Sequence, residues 1–249
     1  MRRIVLFLAL LLLFSGSAAR TAELDPSQRK AVEDVVRDYL IGHPEVIEEA
    51  VKALQAKRET ESRAKRLDFL ISRRADLEDD PDAPITGDPR AEVTIVEFFD
   101  YQCEFCKSVL PSLQAILGAE PKVRIAFKEF PILGQGSVFA ARVSLAAWAI
   151  DRKRHFGFHT ALMQTKGPLN EAAVLAVASA NGFDVQRIKA AISDPKIEGM
   201  IRKNYDLAET LGITGTPAFV IGDHFVPGAV DLGTLRQLVA EASGSSAQR

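Results

Sequence analysis

Cysteine is almost absent from this sequence, with two residues in 249. Two cysteines exclude a disulfide framework, which rests on several pairs. They also exclude a thiolate-only zinc site, which needs about four ligands. The four histidines (His43, His155, His159, His224) have no spacing that would complete one. The residues therefore give no expectation of a bound metal or cofactor. A dominant charge is missing too: 31 Lys and Arg face 33 Asp and Glu, a formal net charge of −2, so no nucleic-acid partner is expected. The apolar run Ile4 to Phe14 is too short to span a bilayer comfortably.

The two cysteines sit together in Phe98-Phe99-Asp100-Tyr101-Gln102-Cys103-Glu104-Phe105-Cys106-Lys107. A β-branched, aromatic-ended run (Val93 to Phe99) leads in, and a helical pattern leads out. A Cys-x-x-Cys at a strand-to-helix junction is a redox dithiol signature. The helix N-terminus favours negative charge and so stabilises a thiolate on the first cysteine. The thiolate is the form that attacks disulfides. Two other readings stand beside this one. A structural disulfide here would close a very short loop and constrain the unfolded chain least. Two soft ligands also suit Cu(I), the chemistry of a copper-handling thiol protein.

The N-terminus reads as a secretory signal: Arg2 and Arg3, the apolar run, then Ser17-Ala18-Ala19 with cleavage expected after Ala19. The alternative is an uncleaved anchor. Three segments are expected: a signal peptide over 1–19, a helical arm over 20–78 and a domain over 79–249. In the arm, Asp25 is an N-cap and Pro26 fits the first turn. Val32, Val35, Val36 and Leu40 make one apolar stripe, and Gly42-His43-Pro44 breaks it. Ile47, Ala50, Val51 and Leu54 make another. A charged stretch from Lys57 to Arg66 leads to a last apolar cluster, Leu67, Phe69, Leu70 and Ile71. Glu78 to Pro84 reads as a linker. The arm has too few apolar residues for its own core, so it packs on the downstream domain or on copies of itself.

The domain reads as α/β. Val93 to Phe99 is its first strand, Glu104 to Leu117 a helix kinked at Pro111, and Val123 to Phe127 the second strand. A helical block follows over about 135–211, with Trp148 read as core. Pro217 to Ile221 and His224 to Val226 form a hairpin across Gly222-Asp223, and Leu232 to Ala242 a closing helix. The Gly/Ser tail beyond is expected to be mobile. The crossover demands a parallel pair of strands, and the hairpin adds antiparallel ones.

Three motifs carry a resemblance. Residues 96 to 106 read Val-Glu-Phe-Phe-Asp-Tyr-Gln-Cys-Glu-Phe-Cys, and Gly212-Ile213-Thr214-Gly215-Thr216-Pro217-Ala218-Phe219 looks like a cis-proline loop. Phe156 to Met163 is similar to a helix of an inserted helical domain. Together they resemble the DsbA-like exported thiol-disulfide oxidoreductases, a thioredoxin fold with a helical insertion. With the arm in front, the chain looks like the suppressor-of-copper-sensitivity C type, whose extension drives oligomerisation, trimeric in at least one lineage.

The resemblance implies roles. Cys103 is the exposed nucleophile and Cys106 the resolving cysteine. Glu97, which alternation places with Val93, Ile95 and Phe99, is a buried proton acceptor; the alternative is an exposed strand glutamate. Thr216 and Pro217 form a substrate platform around a cis bond; the alternative is an ordinary trans proline in a turn. Glu104 and Phe105 replace the Pro and the His or Tyr common in the family. Glu104 beside Cys103 should raise the thiol pKa, against its favourable place at a helix start, which predicts a weaker oxidant. Thr216, where the strong oxidant carries valine, leans the same way. The expectation is a periplasmic, homo-oligomeric disulfide isomerase or reductase, a trimer through residues 25–77. It would act on misfolded, cysteine-containing exported proteins and draw electrons from a membrane-borne redox partner. The alternative is a monomeric dithiol oxidase.

Overall fold

The computed structural model describes residues 24–246, with side chains described to Gly244. The expected signal segment and its cleavage site lie outside the described residues. The chain divides into two compact units, with the division after Glu59.

The first unit contains helix α1 (Pro26–Gly42) and the start of α2 (Glu45–Ser72). Asp25 caps α1 through a capping box: its carboxylate accepts from Ser27 N (2.8 Å) and Gln28 N (2.9 Å), while the Gln28 side chain accepts from Asp25 N (3.1 Å). Pro26 fills the first turn, where its missing N–H costs nothing. No residue of α1 is buried, and Val35, Tyr39, Ile41 and Ile47 are each more than half exposed. Ion pairs Lys30–Asp34 and Lys52–Glu48 lie along the helices at four-residue spacing.

The second unit begins at Thr60, earlier than the linker composition suggests. The reason is packing. Leu70 and Leu77, the latter on helix α3 (Arg74–Glu78), are buried against Val96, Phe98, Ala126 and Val220 of the sheet. The stretch after α3 is not a loose linker either. Lys128 is fully buried and donates to the Asp76 carbonyl (2.7 Å) and to Asp80 (3.5 Å), while Lys203 pairs with Asp76 and Asp80. Burial pulls the Lys128 pKa down to about 8, with Asp80 opposing.

The sheet has five strands in the order β1-β3-β2-β4-β5. They are β1 (Ile85–Gly87), β2 (Val93–Phe99), β3 (Val123–Glu129), β4 (Ala218–Ile221) and β5 (His224–Pro227). Val93 to Phe99 is thus the second strand, since β1 pairs antiparallel with β3 ahead of it. β2 and β3 are parallel, joined by α4 (Glu104–Ala119), and β4 runs antiparallel to both β2 and β5. Gly222 takes a φ of 58° in the β4–β5 turn, a conformation other residues resist. All of β2 is buried, so its alternation separates two covered faces rather than core from solvent.

One face carries Val93, Ile95 and Phe99 against α4, α10 (Leu232–Ser246) and the helical block. The block comprises α5 (Gln135–Ile150), α6 (Arg152–Met163), α7 (Glu171–Ala180) and α8 (Val185–Ala191). The other face carries Val96 and Phe98 against α3 and α9 (Pro195–Leu211). Trp148 is core, as expected. The closing helix runs on to Ser246, where the sequence reads as a mobile tail. No described helix is long and apolar enough to cross a membrane.

Candidate active site

β2 delivers the chain to the head of α4 through a braced loop. Asp100 turns back on itself as an Asx motif: Oδ1 accepts from Gln102 N (2.8 Å) and from Ser137 Oγ (2.7 Å), and Oδ2 from Leu133 N (2.9 Å). Gln102 Nε2 donates to Ser137 Oγ (2.9 Å) and the Leu133 carbonyl (3.2 Å). Gly136 is required here, because a Cβ would lie 2.5 Å from the Leu169 carbonyl oxygen. Cys103 then becomes the N-cap of α4, with its backbone N donating to the Asp100 carbonyl (3.1 Å).

Both cysteines are free thiols. Cys103 is 6 % exposed and Cys106 1 %, so the nucleophile position is more sheltered than the resemblance implies. Their electrostatics diverge. The Cys103 pKa falls to about 5, chiefly because the Cys106 thiol donates to its sulfur. Thr216 and the backbone N–H groups of Cys106 and Phe105 add to this against the cost of burial. Burial first, then the bond to Cys103 and the nearby Glu97 carboxylate, push the Cys106 pKa up. Glu104 does not act as expected. Its carboxylate is 82 % exposed and paired with Lys107 at 2.8 Å, so its charge is spent in solvent.

The Thr216–Pro217 bond is cis, and the loop lies directly against the dithiol. The Cys103 Sγ–H donates to the Thr216 carbonyl at 3.1 Å. Glu97 lies on β2 opposite Phe127 and Phe219. It is 1 % exposed, and neither carboxylate oxygen has a hydrogen-bond partner. Burial, with a smaller contribution from the Cys103 charge, raises its pKa to about 8. Glu97 is therefore a buried carboxyl held near both sulfurs. The structure brings all five residues singled out in the sequence to one place.

Sequence reading missed the support behind them. Tyr101 Oη lies 2.8 Å from Ser144 Oγ, 3.1 Å from His159 Nδ1 and 3.3 Å from Glu129 Oε1, and Ser144 Oγ lies 2.9 Å from His155 Nε2. Every member is buried. Burial pushes the Glu129 pKa well up and lowers His155 to about 3, and burial together with His155 pushes His159 well down. The histidines are thus uncharged core members packed on Phe99, Phe127 and Trp148.

A dithiol split into one stabilised thiolate and one buried thiol, with a cis-proline loop across it, exchanges disulfides, and its parallel strand pair and edge hairpin are those of the thioredoxin fold. The chain has that fold, with the geometry of a thiol-disulfide exchange site. More specifically, it belongs to the DSBA-like thioredoxin domain family, whose pattern matches residues 94–240. The N-terminal domain of copper resistance protein ScsC matches residues 28–61. Among solved structures, a thioredoxin-like oxidoreductase from Silicibacter pomeroyi is 40 % identical (TM-score 0.66), covering 69 % of this chain and 98 % of its own. Proteus mirabilis ScsC in a transitional conformation is 34 % identical (TM-score 0.66), covering 90 % and 99 %. A periplasmic thioredoxin-like protein from Salmonella enterica serovar Typhimurium is 33 % identical (TM-score 0.63), covering 69 % and 95 %. The chain spans about a quarter of the length of the first curated relatives it matches, Na(+)/H(+) antiporters of Salinispora at 25 % identity.

Proposed function

We propose that this chain is an exported, oligomeric disulfide isomerase or reductase working in the periplasm on misfolded, cysteine-containing proteins. The Cys103 thiolate attacks one sulfur of a substrate disulfide. A Cys103–substrate disulfide forms, and the other substrate sulfur leaves as a thiolate. In isomerisation a second substrate thiolate attacks the substrate sulfur of that mixed disulfide. Cys103 returns as thiolate, and no electrons are gained or lost overall. If rearrangement stalls, Glu97 takes the Cys106 proton and Cys106 attacks Cys103, releasing the substrate as thiol. The Cys103–Cys106 disulfide left behind needs two electrons, which a membrane-borne redox partner would supply. Thr216 and Pro217 offer the surface on which the substrate backbone lies.

The observation that carries this reading is the row of exposed apolar side chains on α1 and the start of α2, matched to the ScsC N-terminal domain. A helix pair whose valines and isoleucines face water gains most from packing on copies of itself, and a trimer through residues 25–77 is the favoured state. The likeness to a periplasmic protein and the signal-like N-terminus support export.

The test compares the full chain with one beginning at Thr60, where the second unit starts. A cut near Asp82 would remove Leu70 and Leu77 from the core. Light scattering should give a trimer for the first and a monomer for the second, and only the first should refold scrambled ribonuclease. Equal mass and equal refolding would sink the proposal. A second reading, the monomeric oxidase, draws on the low Cys103 pKa. A stabilised thiolate favours the reduced enzyme and so makes its disulfide the better oxidant. The redox state in cells separates the two: an isomerase is held mostly reduced, an oxidase mostly oxidised.

A further inference from the structure

Thr216, whose carbonyl meets the Cys103 sulfur, also lines a groove of about 490 Å³. The floor is apolar: Ile213, Pro217, Ala218 and Phe225. One wall is a cation. Arg66, half-buried on α2, holds its guanidinium over the Phe225 ring, with Cζ 4.4 Å from the centroid, and its Nε donates to the Leu211 carbonyl at 3.2 Å. Those contacts fix the side chain but use only one of its N–H groups. Among the described residues no carboxylate pairs with Arg66. A second groove of about 460 Å³ shares Arg66 and Phe225 and adds Arg63. The one acid lining it, Asp223, is held by Arg74 at 2.6 Å.

A planar guanidinium pinned at its Nε and stacked on an aromatic ring presents its remaining N–H groups in a fixed direction. That geometry suits a carboxylate, which can accept two parallel bonds. The groove shares Thr216 with the contact to the reacting sulfur and is lined by proline and phenylalanine, which suits an extended chain carrying alternate side chains. We propose that this groove binds the polypeptide flanking the substrate cysteine, and that Arg66 selects substrates with an aspartate or glutamate there. The inference rests on the reading of the chain as an exchanger acting on polypeptides.

The test uses the full chain and pairs of disulfide-bearing peptides that differ by Glu against Gln, scanned along both sides of the cysteine. The rate of mixed-disulfide formation is the readout. At one or two positions the Glu peptide should react about fivefold faster or more, and added salt should shrink the ratio. In Arg66→Gln the Glu-to-Gln ratio should fall to about one, and in Arg66→Glu a Lys peptide should overtake the Glu peptide. A ratio near one at every position of the unaltered chain overturns the inference, and so does a preference that survives in Arg66→Gln. The comparison on the unaltered chain stands even if a variant fails to fold. Hydroxyethyl disulfide separates the two levels of the argument. If the chain reacts with it but shows no Glu preference, the groove assignment alone fails. If it reacts with neither it nor any peptide, the exchange reading fails first.

Discussion

Glu97 departs far from the ordinary behaviour of a carboxyl, and the cause is geometric. It stands in the middle of a strand covered on both faces, with neither oxygen bonded. Its folded pKa of about 8 lies above the usual carboxyl value of 4.5, so the stability it allows is fully present below about pH 4.5 and is lost as pH rises through 8. In Glu97→Gln, thermal unfolding followed across that window should lose this slope. Turnover through Cys106 should also slow, by roughly tenfold or more, because the proposed proton acceptor is gone. Cys103 offers a second test. Alkylation by iodoacetamide should follow a titration centred near pH 5. In Cys106→Ala, which removes the leading cause of that low value, the midpoint should rise by about one pH unit or more.

At the scale of elements, periodicity and end signals placed most helices and strands, because the residues that define them lie within one turn or one pleat. β1 escaped notice because Ile85-Thr86-Gly87 sits among prolines and acids and has no pattern of its own; its partner β3 supplies what its local sequence lacks. The last apolar cluster of the arm was seen, but not its destination. Leu70 enters the sheet's second face, while Ile71 stays 55 % exposed. Two substitutions separate these roles. Leu77→Ala should cost about 2–5 kcal/mol in denaturant unfolding, since it empties a buried site. Val35→Asp with Ile47→Asp should leave the unfolding of residues 60–246 unchanged and should dissociate the proposed oligomer by light scattering, because both positions are exposed.

For the whole molecule, the dithiol and the proline loop were legible because each is a short motif, although 113 residues separate Cys103 from the carbonyl it meets. The support was not legible. Tyr101 finds Glu129 28 residues away and His159 58 residues away, and no local pattern marks such pairs. Redox state should register in the stability of the entire second unit. The depressed Cys103 pKa gives the reduced protein a stability that is fully present above about pH 9 and disappears as pH falls through 5. Calorimetry should therefore show the reduced protein melting a few degrees above the oxidised one near neutral pH, with the gap closing toward pH 5.

The 3.1 Å contact between the Cys103 thiol and the Thr216 carbonyl has one further effect. A thiol can donate to that oxygen; a thiolate cannot. While Cys103 keeps its proton, one lone pair of that oxygen is engaged from within. Loss of the proton creates the nucleophile and releases the oxygen in the same event. Deprotonation therefore changes the hydrogen bonding of the cis-proline loop together with the reactivity of the sulfur.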